Sequence, residues 1–197
     1  MKKEYFELPK VGLACARHPI TAWEGLTQWD VPTTVDFDTK QARVILAMEM
    51  GQGDVTPALS NCMIANVAAT LRSKLDIPIC AQDEAAHCLR DLGTPADMEV
   101  IKEGDYIDSQ EVVQAYARWC LRPTRRRRLH PSLVVSHRFH QWRIVRAATK
   151  LGLIAFPADC STVPCDPDST QSWTTSENVF KRYELQARMF FLGRDWI

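Results

Sequence analysis

Ser132-Leu-Val-Val-Ser-His-Arg-Phe-His-Gln-Trp-Arg-Ile-Val-Arg146 is the stretch that decides how this chain folds. Leu133 to Val135 reads as a short buried strand, and Phe139 to Leu151 as a helix that Gly152 stops. The tight turn between them carries His137, Arg138 and His140, with Arg143 and Arg146 following on the helix. In an open α/β sheet, ligands bind beyond the carboxyl ends of the strands. The N–H groups that open the next helix favour anions. A cationic cluster at that point suits an anionic or polar ligand.

The same alternation extends in both directions. Arg43 to Met48 is a continuous apolar run, as expected of a parallel strand buried on both faces. Ser60 to Lys74 is helical, with Met63, Ile64, Val67, Ala68 and Leu71 at the 3.6-residue period. Ile77 to Ala81 reads as a second strand, and Asp83 to Leu92 as a helix closed by Gly93. Met98 to Ile101 is a third strand. Asp108 or Ser109 caps a helix running to Cys120. Leu153 to Phe156 is a fifth strand, a polar loop follows from Pro157 to Gln171, and a last helix spans Ser176 to Phe191. Such alternation predicts βαβ crossovers and a Rossmann-like three-layer α/β sandwich, with a mostly parallel sheet of about five strands. Residues 1–40 look different, with Pro9, Pro19 and Pro32 around Trp23 and Trp29 and a short helix at Thr21 to Trp29. They read as an N-terminal extension packing on a domain of residues 41–197, with the tryptophans as anchors.

Composition narrows the function classes. The chain has 197 residues, 46% of them hydrophobic, which is enough for one domain with a full core. Lys+Arg and Asp+Glu balance at 24 each, which argues against a dedicated nucleic-acid binder or anionic-membrane binder. Runs such as Val44-Ile-Leu-Ala-Met48 are too short to span a bilayer, and no apolar segment follows Met1-Lys-Lys-Glu to make a secretory signal. Seven scattered cysteines suit a reducing cytoplasm better than a disulfide framework. Cys62, Cys80 and Cys120 read as small buried hydrophobes. Cys160-Ser-Thr-Val-Pro-Cys165 is too widely spaced for a zinc knuckle, and a labile disulfide there is the less favoured reading.

Residues just after each strand should converge on one edge. They are Glu49 and the Gly51/Gly53 loop, then Gln82, Asp83 and Glu84, then Glu103, Asp105 and Asp108, then Ser136, His137, Arg138 and His140. Acidic residues from three loops would thus face a cationic turn from the fourth. His140 is the acid, base or anion donor of choice, because imidazole titrates near neutrality. Arg143 would grip an anion as a fork, against a surface salt bridge as the plainer reading. For Arg146 the surface reading prevails. Ser136 and the helix start would cradle the same group. Glu84, Glu111 and Glu49 would orient His140 or contact a ribose, an ammonium group or a metal. Zinc on His137 and His140 is disfavoured for want of further ligands, and Mg²⁺ on the carboxylates is the better metal candidate. Gly51-Gln-Gly53 lacks the third glycine of a dinucleotide loop and the end of a P-loop, so a flexible surface loop is expected. Arg125 to Arg128 reads as a solvated face.

Val135-Ser-His-Arg-Phe-His-Gln-Trp-Arg143 resembles the Val-Thr-Ser-x-Tyr/Phe-His-x-x-Arg signature of the YdcF/SanA/ElyC-like family, also called domain of unknown function 218. Asp108-Ser-Gln-Glu111 resembles the family's Ser/Thr-x-Glu-Asn helix start, Gly93-Thr-Pro95 its Gly-Val-Pro, and Glu184 a glutamate common in its last helix. The resemblance spans residues 43–190 by order of elements. It implies a Rossmann-like domain, a link to the bacterial envelope and, from one member, S-adenosylmethionine as a ligand. Carried over, Ser136, His140, Arg143, Ser109, Glu111 and Glu84 would line the site. The chain departs from the family at His137, where serine is preferred, and at Val112 in place of asparagine. It departs again at Ala47-Met-Glu-Met50, where a glycine pair is usual, and it lacks the membrane anchor of some members.

The expectation is a cytoplasmic protein that binds an anionic or nucleotide-like small molecule, S-adenosylmethionine or a phosphorylated compound, with hydrolysis or group transfer open to it. Catalysis would fall to His140, Arg143 and Glu111, and binding to Ser136, His137, Arg138, Gln82, Glu84, Ser109 and Glu49. The alternatives are a non-catalytic binding or regulatory module in the same cleft, or an interaction protein using the N-terminal arm and Arg125 to Arg128.

Overall fold

The computed structural model describes residue 29 and residues 39–101, 108–120 and 131–193. Glu103, Asp105, Arg125 to Arg128, and the N-terminal extension apart from Trp29, Thr39 and Lys40 lie outside the described residues. After a 3-10 turn at Thr39–Gln41, strands β1 (Val44–Ala47), β2 (Ile79–Gln82), β3 (Met98–Val100), β4 (Ser132–Val135) and β5 (Ala155–Pro157) alternate with helices. These are α1 (Leu59–Leu75), α2 (Asp83–Asp91), α3 (Ser109–Cys120) and α4 (Arg138–Lys150), and a final helix α5 (Glu177–Gly193) follows a 3-10 turn at Ser172–Thr174.

All pairings are parallel, in the order β3-β2-β1-β4-β5. The chain builds outward from β1 to β3, then returns to the other side of β1 for β4. Right-handed crossovers therefore put α1 and α2 on one face and α3 and α4 on the other. Side chains alternate accordingly. Ile45, Ala47, Ile79, Ala81, Leu133 and Val135 meet Ile64, Ala65, Ala68 and Leu89 of α1 and α2. Val44, Leu46, Cys80 and Val134 meet Val112, Tyr116, Trp142 and Ile144 of α3 and α4. The result is the three-layer Rossmann-like sandwich expected from the strand–helix alternation.

Helix ends follow local chemistry. α2 closes with Thr94 N–H on the Leu89 carbonyl and Gly93 N–H on that of Arg90; α4 closes with Leu153 N–H on Ala148 and Gly152 N–H on Thr149. Both are Schellman closures, and both glycines hold positive φ, 67° and 77°. The second closure moves the fifth strand. Leu153 was expected to begin it, but its N–H is committed to ending α4, so pairing begins at Ala155 and runs to Pro157. Pro157 is tolerated because β5 is an edge strand. Gln141, buried on α4, donates to the carbonyls of Val134 and Ala158 and holds this end of β4 and β5 together.

α1 ends without a glycine. Asp76 takes the left-handed conformation (φ 50°) and its N–H bonds the Arg72 carbonyl. A non-glycine residue there costs about 1 kcal/mol. Asp76→Gly is expected to raise the thermal midpoint by about 2–4 °C for a chain of this size, read by calorimetry. A lower midpoint would show that the Asp76 side chain stabilises the turn by more than its backbone costs.

Candidate functional site

The register sets the site. Ala47 lies beside Ala81 on one side and Val135 on the other. Gln82, the last residue of β2, therefore stands level with Met48 and Ser136, and Glu49 lies one residue further, at the point where strand order reverses between β1 and β4. This is where ligands bind in open α/β sheets.

On the β1–β2 side the expected residues meet one another. Gln82 Nε2 donates to Glu49 Oε1 at 2.7 Å, and Glu84 N–H donates to Glu49 Oε2 at 3.2 Å. Two donors thus set the plane of the half-buried Glu49 carboxylate. Glu84 turns instead to the β1–α1 loop. Its carboxylate accepts from Gly53 N–H (3.0 Å), Ala58 N–H (3.0 Å) and Asn61 Nδ2 (2.9 Å). Asn61 also accepts from Met50 N–H and donates to the Gly51 carbonyl. Asp166, from the loop after β5, accepts from Leu59 N–H at 2.6 Å, where α1 begins. The N–H groups of Gly53, Ala58 and Leu59, at this loop and helix start, are thus occupied by the protein's own carboxylates.

Gly51 and Gly53 answer to packing. Gly51 has φ +86°, and a Cβ there would lie 2.9 Å from Ser169 Oγ. A Cβ on Gly53 would meet the Thr56 carbonyl oxygen at 1.6 Å. Ser169 Oγ accepts from Gln52 N–H, and Thr170 N–H donates to the Gln52 carbonyl. The expected flexible surface loop is thus tied down by Glu84, Asn61, Asp166 and Ser169.

On the other side of the switch, His140 is buried between two hydroxyls. Its Nε2 lies 2.8 Å from Ser109 Oγ and its Nδ1 3.3 Å from Ser136 Oγ. Burial, then the charges of Arg143, His137 and Arg188, hold its pKa well below the usual value, so it is a neutral imidazole. Ser109, Ser136 and His140 come together as expected. Glu111 does not join them. It is exposed, accepts from Asp108 N–H, and donates its own N–H to Asp108 Oδ1, which is a capping box for α3.

Arg143 departs from its expected role too. It is buried, and its Nε and Nη2 lie 3.2 and 3.1 Å from the two oxygens of the fully buried Glu184 on α5. Arg188 bonds the same carboxylate at 3.2 Å, with its guanidinium 4.4 Å from the Trp142 ring and 4.8 Å from that of Trp29. The fork meant for a ligand holds α4 to α5. Burial raises the Glu184 pKa, and the two guanidiniums oppose that rise. Arg138 is half-exposed and pairs with Glu177 at 2.7 Å.

His137 is the N-cap of α4. Its Nδ1 accepts from Phe139 N–H, and its Nε2 lies 3.7 Å from Cys165 Sγ. An Nδ1 that accepts leaves the proton on Nε2, so His137 cannot take one from the thiol. Burial also raises the Cys165 thiol to about 11 and lowers His137 to about 4. This pair is not an activated nucleophile. His137 and His140 diverge, toward Cys165 and toward the serines, so they do not share a metal. Among the described residues no three His, Cys, Asp or Glu side chains converge as metal ligands, and no helix is long and apolar enough to cross a membrane. An open groove of about 420 Å³ lies elsewhere, between α1 and the β4–β5 side, lined by Asn66, Thr70, Lys74, Leu133, Pro157 and Asp159.

Sequence reasoning missed Asn61, Asp166 and Arg188. A lone asparagine on the apolar face of α1 was a readable signal. Glu184 and Arg188, four apart on a helix, look in sequence like a solvent-facing pair. No protein-family model, no curated protein and no solved structure matches the chain.

Two outcomes follow from these buried charges. Glu184→Gln would leave two guanidiniums without their shared counter-charge, and is expected to lower stability by about 3–5 kcal/mol in urea unfolding. A loss below about 1 kcal/mol would mean that Arg143 and Arg188 reach water. His137 has the second consequence. Between pH 6.5 and about 4 the unfolded chain binds a proton at His137 that the folded chain refuses. Its contribution is complete above pH 6.5 and is lost as pH falls through 4. His137→Asn should lessen the loss of stability between pH 7 and 5, with the buried, neutral His140 still contributing to it; an unchanged slope would show that His137 is not buried neutral.

Proposed function

We propose that this protein binds a small nucleoside-like molecule at the C-terminal strand edge over β1 and β4, with S-adenosylmethionine preferred to phosphorylated compounds. The observation that carries the reading is the Glu49 carboxylate, set by Gln82 Nε2 and Glu84 N–H at the strand-order reversal. A carboxylate held there suits a ribose diol or an ammonium group. A phosphate is disfavoured at the same edge. The N–H groups of Gly53, Ala58 and Leu59 already serve Glu84 and Asp166, and Arg143 is matched by Glu184. An incoming anion would meet carboxylates where a phosphate site needs bare donors. The resemblance to the YdcF/SanA/ElyC-like family also leads to S-adenosylmethionine. Binding is better supported than turnover, because Arg143 is paired with Glu184 and Glu111 caps α3, so neither joins His140 in a catalytic set. The Ser109–His140–Ser136 chain is the polar wall beside the ligand, and its hydroxyls can each donate or accept.

Thermal unfolding with S-adenosylmethionine, ADP and a sugar phosphate tests the reading. S-adenosylmethionine at about 100 times its Kd adds about 2.7 kcal/mol, or roughly 5–10 °C for a chain of this size. ADP and the sugar phosphate should give no shift, and Glu49→Gln should reduce the S-adenosylmethionine shift while leaving the unliganded midpoint within about 2 °C. A shift with the phosphorylated compounds and none with S-adenosylmethionine would overturn the assignment.

A further inference from the structure

The cysteines at the α1–α2 contact stand apart from the others. Cys62 Sγ lies 2.9 Å from Cys88 Sγ. Both thiols are reduced in the structure. Cys62 is half-buried in the first turn of α1, and Cys88 is buried one turn along α2 from Glu84. A disulfide has its sulfurs about 2.05 Å apart, so bond formation requires an approach of about 0.9 Å. The neighbouring residues on the same two helices, Asn61 and Glu84, are already hydrogen-bonded at 2.9 Å. The two thiols thus form a second link between the helices, beside the one that holds the β1–α1 loop.

We infer that Cys62 and Cys88 are a reversible dithiol site that reacts with low-molecular-weight disulfides and, once oxidised, clamps α1 to α2 beneath the Gly51–Ala58 loop. The chemistry is thiol–disulfide exchange. Cys62, the more exposed thiol, attacks as thiolate on one sulfur of the small disulfide. That S–S bond breaks, one small thiol leaves and takes up a proton, and a mixed disulfide remains on Cys62. Cys88 then gives up its proton and attacks Cys62 Sγ, releasing the second small thiol. Two protein thiols are oxidised, and one disulfide is reduced to two thiols. Burial and the Cys62 contact raise the Cys88 thiol, so Cys88 is the slower nucleophile and the more exposed Cys62 reacts first. The bond closes a loop of 26 residues, a span over which a cross-link restrains the unfolded chain.

The inference is independent of which ligand occupies the strand edge, and its test uses no ligand. The full chain is equilibrated with glutathione disulfide, its remaining thiols are alkylated, and its peptides are mapped by mass spectrometry. The expected product carries a Cys62–Cys88 bond and no glutathione, and dithiothreitol reverses it. It melts several degrees above the reduced protein, and amide exchange at Gly53 and Ala58 slows. Cys88→Ala should abolish both the bond and the rise in midpoint, and Cys165→Ala should change neither. The fragment spectra distinguish Cys88 from Cys80, which lies in the same tryptic segment. The inference falls if Cys62 stops at a glutathione adduct, or if both thiols stay alkylatable in excess glutathione disulfide. It also falls if the bond forms without slowing exchange at Gly53 and Ala58.

Discussion

The arrangement depends on β1 being paired on both edges and buried on both faces. Val44 to Ala47 bond β2 on one side and β4 on the other, and none of these side chains reaches water. Once β1 is central, its last residues lie where the sheet changes its direction of growth. Everything after Ala47 then emerges between two helix layers. Glu49, Gln82 and Ser136 occupy that edge because their strands end in register, and the helix starts that follow supply Glu84 and His140.

The protein satisfies this edge with its own charges. Carboxylates from α2 and from the loop after β5 reach back to N–H groups of the β1–α1 loop. A buried N–H without a partner is costly, and these carboxylates supply the acceptors. The N–H groups of Gly53, Ala58 and Leu59 are already matched, while Glu49 is held by Gln82 and Glu84 at the same edge. On the other face the same economy operates with opposite sign. Two guanidiniums share Glu184, and aromatic rings cover the remaining positive charge of Arg188.

Local pattern accounts for much of this. The strand–helix order was legible because apolar runs of strand length alternate with helical periods, and Gly93 and Gly152 sit where Schellman closures require positive φ. Gln82 near Glu49, and Ser136 near His140, were legible because they follow strands whose ends must align; Ser109 was expected at the site only from the resemblance to the YdcF/SanA/ElyC-like family. Arg143 and Glu111 were not legible. An arginine in a helix looks the same whether it awaits a ligand or a glutamate 41 positions on. A glutamate three residues after an aspartate serves equally to cap a helix and to face a cleft. Cys62 and Cys88 had no shared signature, since nothing along the chain states which faces of α1 and α2 meet.

By itself, then, the sequence determined the parallel α/β architecture, the placement of candidate polar groups at the strand ends, and the helix stops. These depend on periodicity and on backbone conformations of single residues, which are local properties. Only the tertiary structure decided which charges neutralise one another, why Gly51 and Gly53 must be glycine, and that two thiols lie within reach of a bond. Those outcomes depend on through-space distances between segments remote in sequence, and at such distances one buried counter-charge or a single close approach changes what a side chain can do.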